Sequence, residues 1–153
     1  MYKKLNLPSL DIQGNWHTNN IELKAKVGGY ISYWVTDDFS KHIHSLFPQN
    51  FFPSSTFMIA QTIDSHLNGH IHKDKRKYAI NYMVDKGGVD TYTALYNEDD
   101  TLADTYIQQP GEWYFLDTYK KHAVHGITSK RIALSISFFD FGDKQWDFIN
   151  EIS

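Results

Sequence analysis

From Ser55 onward the chain is cut into short pieces, and that punctuation limits the fold more than any other feature. Apolar or alternating runs stand at 56–63, 70–72, 77–84, 90–96, 103–108, 113–117, 123–127 and 131–139. Between them lie segments such as SHLNG, DKGG, NEDD, QQPGE, TYKKH and TSK, most of which carry Gly, Asn, Asp or Pro. Runs this short, separated this often by turn residues, read as antiparallel strands. Eight of them predict a mainly β fold, a sandwich or jelly roll whose interior can enclose a small-molecule site. The aromatic content of 16% agrees, because rings pack well across pleated surfaces. One helix is expected at 36–46, TDDFSKHIHSL, where a capping Thr or Asp precedes Phe39, Ile43 and Leu46, and Pro48 stops it. One or two helices are thus expected within the first 55 residues, packed on one face of a sheet.

At 153 residues the chain is the size of one domain, and no repeat, low-complexity tract or linker divides it, so 1–153 is read as a single domain. Cysteine is absent, which excludes disulfides, thiolate metal sites and cysteine nucleophiles. Any metal must be held by His and carboxylate. Net charge is −3 and there are only two Arg, so nucleic acid is not an expected partner. No apolar run reaches the length of a signal peptide or a membrane span, and the expected location is cytoplasmic.

The stretch 68–85, NGHIHKDKRKYAINYMVD, places His70, His72 and Asp74 two residues apart. On a strand all three would leave the same face. With eight His and fourteen Asp in the chain, an HxD pair is expected roughly 0.7 times by chance, so the pair alone carries little. More informative is its company: His122 and His125 lie about fifty residues on, and Arg131 follows His122 by nine. An Arg nine places after some His is expected only roughly 0.1 times. His122 and His125 have opposite strand parity, so one of them at most faces an interior. His42 and His44 project in different directions from the predicted helix and read as surface residues.

The order HxD, about fifty residues, H, then R nine later resembles the Fe(II)- and 2-oxoglutarate-dependent oxygenases over about 56–139, and FMIAQTID ahead of the pair resembles the prolyl hydroxylase branch. The resemblance implies a double-stranded β-helix, a cupin-like jelly roll. It implies that His72, Asp74 and His122 bind Fe(II), with the HAV context favouring His122 over His125. It implies that Arg131 pairs with the far carboxylate of 2-oxoglutarate. The chemistry suits these residue types: two imidazoles and a carboxylate on one side of Fe(II) leave the other side for cosubstrate and O2. A planar guanidinium meets a buried carboxylate with two parallel hydrogen bonds.

Further cosubstrate contacts follow from parity. Ala133, Ser135 and Ser137 share the Arg131 face, which puts Ser135 beside the cosubstrate, whereas Ile132, Leu134, Ile136 and Phe138 form an apolar stripe on the other. Asn81 falls with Ala79 and Met83, and a buried amide needs partners. Thr62 stands where the prolyl hydroxylase branch often carries a Tyr; Tyr82 would replace it only if the parity were reversed. His70 is read as a rim or supporting residue. The aromatics Trp16, Tyr30, Trp34, Tyr106, Trp113 and Trp146 either line a groove or, for most of them, pack in the core. The implied activity is hydroxylation of a second substrate, a peptidyl residue being one candidate, with release of succinate and CO2. Nucleic-acid demethylases of the family usually carry a second Arg six residues after the first, where this chain has Ser137. Two other readings stay open: a metal-dependent cupin that does not use 2-oxoglutarate, and a jelly-roll binding module without catalysis.

Overall fold

A computed structural model describes residues 1–10, 23–49, 51 and 53–153; Trp16 lies outside them. Ten strands and two helices follow in the order β1 (Tyr2–Leu5), β2 (Leu23–Val27), β3 (Tyr30–Trp34), α1 (Asp37–His44), β4 (Ser55–Gln61), β5 (Tyr78–Asp85), β6 (Tyr92–Tyr96), β7 (Leu102–Tyr106), β8 (Trp113–Asp117), β9 (His122–His125), β10 (Arg131–Phe138) and α2 (Asp143–Ile152). They form a seven-stranded sheet, β1-β8-β5-β10-β4-β3-β2, and a three-stranded sheet, β7-β6-β9. All strand pairs are antiparallel, and the architecture is the expected jelly roll of double-stranded β-helix type.

β10 is the central strand, paired with β5 on one side and β4 on the other. Its alternation divides the molecule into two compartments. Ile132, Leu134, Ile136 and Phe138 face outward into a core with Met58, Ile80, Tyr82, Trp113 and Phe115. Ile43 of α1 and Ile149 of α2 close that core, and both are fully buried. The opposite face of the large sheet meets the small sheet, where Leu95, Tyr106, Tyr114 and Leu116 cluster and a cavity opens.

Parity places the predicted residues as the register requires. Asn81 opposes Ser135 across β5 and β10, so both face the cavity side. Tyr82 faces outward, its hydroxyl accepting from the Leu10 N–H at 3.0 Å, which removes it as a cosubstrate contact. Trp113 and Trp146 belong to the outer core.

Three expectations are corrected. Helices are not confined to the first 55 residues: α2 lies at the far end of the chain, with Trp146, Ile149 and Ile152 recurring every three residues on the side that packs against the outer core. The first 55 residues instead supply three strands as well as α1, capped by Thr36, whose Oγ1 accepts from the Phe39 N–H at 3.3 Å. β2 escaped notice because its edge position leaves Leu23 and Val27 half exposed. It turns into β3 through Gly28, whose φ of 55° suits glycine. Finally, 70–72 is not a strand; His72 makes an isolated bridge to His122.

The α2 contact has a measurable consequence. Ile149→Ala empties a fully buried position on the outer face and is expected to lower unfolding free energy by about 2–5 kcal/mol in urea titration. The residues of the cavity side are untouched by that change, so ligand binding should survive it.

Candidate metal centre

The segment between β4 and β5 is irregular, yet its backbone is tied down. His72 and His122 exchange N–H to O hydrogen bonds of 3.0 Å in both directions, as directly opposed residues of an antiparallel pair do. Asp74 N–H donates to Thr118 O at 2.8 Å. This docking sets the side chains of His72 and Asp74 against that of His122 on β9. The two imidazole rings lie 4.4 Å apart, and Asp74 Oδ1 is 3.6 Å from His72 Nε2 and 3.9 Å from His122 Nε2. One donor atom from each residue falls within 4.8 Å of the others.

The orientation of each donor is fixed from behind. His72 Nδ1 lies 3.0 Å from the His70 carbonyl, and His122 Nδ1 lies 2.7 Å from the Lys120 carbonyl. Both Nδ1 atoms must then carry the proton, leaving both Nε2 lone pairs aimed at the common point. Asp74 Oδ2 accepts from Arg76 Nε at 2.9 Å, which turns Oδ1 toward the imidazoles. Burial, and next the neighbouring His72 ring, lower the His122 pKa, so its imidazole is neutral at physiological pH. Two imidazoles and a carboxylate, each held by an outer hydrogen bond, suit a divalent transition metal with open positions.

The centre opens on a cavity of about 100 Å³, and Arg131 lines the same cavity. Arg131 begins β10 and is buried, with the Lys86 carbonyl at 3.4 Å as an acceptor and no carboxylate within 4 Å among the described residues. Loss of solvation lowers its pKa to about 10, which leaves it charged at neutral pH. Tyr106 beside it is pushed up to about 12, chiefly by burial, and stays a neutral hydroxyl. Gly87, with φ of 79°, packs on the Arg131 backbone so closely that a Cβ there would stand 2.6 Å from Arg131 Cβ.

Of the remaining predicted residues, Asn81 lines the cavity. Ser135 does not: its Oγ accepts from Arg76 Nη1 at 2.7 Å, as does that of Ser137. Thr62 lies past the end of β4 with its N–H on the Gly29 carbonyl, and the cavity wall contains Gln61 in its place, directly opposite Arg131. His70 is exposed and acts through its carbonyl, while His125 bonds Tyr96 Oη at 2.6 Å away from the cavity wall. Tyr30 and Tyr106 line the cavity, whereas Trp34 is partly exposed beneath Lys24.

Sequence reasoning passed over Gln61, Gln108, Thr118 and Arg76. Gln61 could have been found from the register, since it shares the parity of Ile59 and Phe57 at the end of a strand beside Arg131. Arg76 continues the two-residue spacing of His72 and Asp74, and that spacing was the available signal.

No protein-family model matches this chain, and no curated protein matches it in sequence. Among solved structures, its fold is similar to that of an oxidoreductase of the 2OG-Fe(II) oxygenase family from Burkholderia pseudomallei, with a TM-score of 0.54 and 9% identity over 76% of this chain and 65% of that one. Hydroxypropylphosphonic acid epoxidase from S. wedmorenis gives a TM-score of 0.52 and 10% identity over 84% of this chain and 59% of that one. Fe(II)-HppE with alternative substrate (S)-1-HPP gives 0.52 and 9% over 84% and 60%. The chain spans less than two thirds of the length of each, and at these identities the likeness is one of fold.

The lowered pKa of His122 fixes a pH dependence for the metal-free protein. Above the ordinary histidine value of about 6.5 the imidazole is neutral in both the folded and unfolded chain. Below it the unfolded chain binds a proton that the folded site resists, so stability falls with pH until the lowered folded value is reached. Urea midpoints measured across this acid range should decline more steeply for wild type than for His122→Asn, and equal slopes would contradict the burial argument.

Proposed function

We propose that residues 1–153 form one Fe(II)- and 2-oxoglutarate-dependent oxygenase domain that hydroxylates a second substrate. The observation that carries this reading is Arg131: a buried guanidinium with no carboxylate partner among the described residues, in the same cavity as three side chains able to hold a metal ion. A buried charge left without a counter-charge is costly, and a structural role would call for an apolar residue or an ion pair. An entering dicarboxylate supplies what Arg131 lacks at one end and a chelating keto acid at the other.

His72, Asp74 and His122 would hold Fe(II). Bound together, Fe(II) and 2-oxoglutarate supply the oxidation, dividing O2 between succinate, released with CO2, and the hydroxyl of the product. The protein's own residues bind and orient. Arg131 receives the far carboxylate, with the Tyr106 hydroxyl and the amides of Gln61, Asn81 and Gln108 on the same wall. Ile59, Leu67, Leu116 and Val124 restrict water around the centre. The carbonyls of His70 and Lys120 keep both imidazoles in the binding tautomer. The exposed position of His70 weighs against the cupin alternative, which needs its ring as a ligand.

Anaerobic addition of Fe(II) and 2-oxoglutarate is expected to produce the weak visible charge-transfer band of the chelate. His72→Ala should abolish it. Arg131→Gln should raise the 2-oxoglutarate Kd by at least ~30-fold, the effect of unpairing a buried charge, while leaving Fe(II) affinity nearly unchanged. Folded protein that binds Fe(II) but gives no band at any 2-oxoglutarate concentration would overturn the proposal in favour of a metal enzyme without this cosubstrate.

A further inference from the structure

Beside the metal centre a second hollow of about 500 Å³ opens to solvent, lined by Lys24, Lys73, Lys75, Arg76, Phe57 and Phe139 among others. Its size is that of a small-molecule site. The chain as a whole carries −3, yet among the described residues Asp74 is the one carboxylate in this wall against four cationic side chains. Two of those charges are partly committed: Lys73 pairs with Glu98 at 2.9 Å, and Arg76 Nε holds Asp74 Oδ2. Lys24 lies over the rings of Trp34 and Phe57, and neither it nor Lys75 has a carboxylate within 4 Å among the described residues.

Arg76 lines both the hollow and the deeper cavity, as do Tyr30, Leu67, His72 and Asp74, and it is the cation among them. It is held on three sides: by Asp74 through Nε, by Ser135 and Ser137 through Nη1 at 2.7 Å each, and by the Phe57 ring, whose centroid is 5.4 Å from Cζ. Nη2 has no acceptor among the described residues. A guanidinium fixed in place, with one nitrogen left over and two uncommitted Lys beside it, is a preorganised anion receptor. The exposed ring of Phe139 and the partly buried Leu67 on the same wall offer an apolar surface to the body of the ligand.

We infer that the second substrate is a small organic acid whose carboxylate or phosphonate is received by Arg76 Nη2, with Lys75 and Lys24 adding charge at the mouth. This rests on the oxygenase reading for the word substrate, but the anion site itself stands on the geometry of the hollow. Arg131 and Arg76 then serve two different anions, the cosubstrate on the inner side of the centre and the substrate on the outer side.

The test keeps the two readings apart by measuring binding without turnover. The full chain, metal-free, is titrated with propionate, methylphosphonate, propylamine and hexaglutamate by calorimetry and amide chemical shifts, and Arg131→Gln is titrated in parallel so that binding on the Arg131 side is told apart. Propionate or methylphosphonate should bind, with shifts centred on 74–76 and 135–137, and the tighter of the two names the anionic group. Propylamine should not bind. Arg76→Gln should weaken the acid by about tenfold or more, as loss of a charged donor does. Lys75→Gln, which removes no hydrogen bond of the site, should weaken it several-fold, so a misfolded Arg76 variant does not leave the matter undecided. Acid affinity unchanged by both substitutions, or lost in Arg131→Gln while kept in Arg76→Gln, would overturn the proposal; so would hexaglutamate binding far more tightly than the small acids, since the occupant would then be an acidic peptide. Absence of the Fe(II) chelate band with acid binding intact would instead sink only the oxygenase reading.

Discussion

Two reciprocal backbone hydrogen bonds, His72 to His122 and back, decide whether the side chains of His72, Asp74 and His122 meet at all. The segment that carries His72 and Asp74 has no strand of its own, and the small sheet ends at β9. The bridge adds one residue pair to that open edge and so places two imidazoles from distant parts of the chain opposite each other. Everything else about the centre follows from where the backbone is pinned. The His70 carbonyl is in reach of His72 Nδ1 because the chain turns there, and the Lys120 carbonyl meets His122 Nδ1 from the turn before β9. The bond of Asp74 to the Thr118 carbonyl keeps its carboxylate level with the imidazoles.

The use of charge around the cavity is economical. The chain has thirteen Lys, distributed over its surface and edges, and two Arg, both of which line the cavity. The distinction is physical. A lysine ammonium buried without a partner readily gives up its proton, whereas a guanidinium stays charged and offers donors in a rigid plane. Arg76 uses that plane to bridge the Asp74 carboxylate and two serine hydroxyls, so it couples the loop bearing Asp74 to the central strand β10. Arg131 has no comparable partner among the described residues, and its surroundings are shaped to keep it in place instead: Gly87 packs on its backbone, and the pairing of β10 with β5 shifts register between Ile132 and Ala133. Such an irregularity bends the strand where a side chain has to be re-aimed.

Much of this was legible in the sequence because strand parity is a local rule. The inward and outward sets of β10 and β5 could be read without knowing which strands pair, and the cavity-side position of Asn81 followed from it, whereas Arg131 was singled out by its nine-residue step from His122. What parity could not supply was pairing. Ser135 has the right face but the wrong neighbour, because Arg76 reaches it from a segment with no strand pattern. Thr62 failed for a related reason: the end of β4 was placed two residues too far, so the lining residue is Gln61. β1 and β2 were invisible because edge strands bury little and need no apolar alternation, β3 because only Ser32 of its five residues is fully buried, and α2 because ten residues near the end of the chain resemble a tail until the outer core is seen to need a lid.

One strand therefore carries both stability and function, on opposite faces. Ile132, Leu134, Ile136 and Phe138 are worth their burial to the fold, while Arg131 and the two serines hold charge and hydrogen bonds that an apolar core would not choose. The two faces are not independent, because a register slip of one residue in β10 would exchange them completely. Burying Arg131 with no counter-charge among the described residues is tolerable because the apolar face of the same strand, pressed between β4 and β5 beneath α1 and α2, fixes that register. The outer core is thus what allows the cavity wall to hold a buried cation.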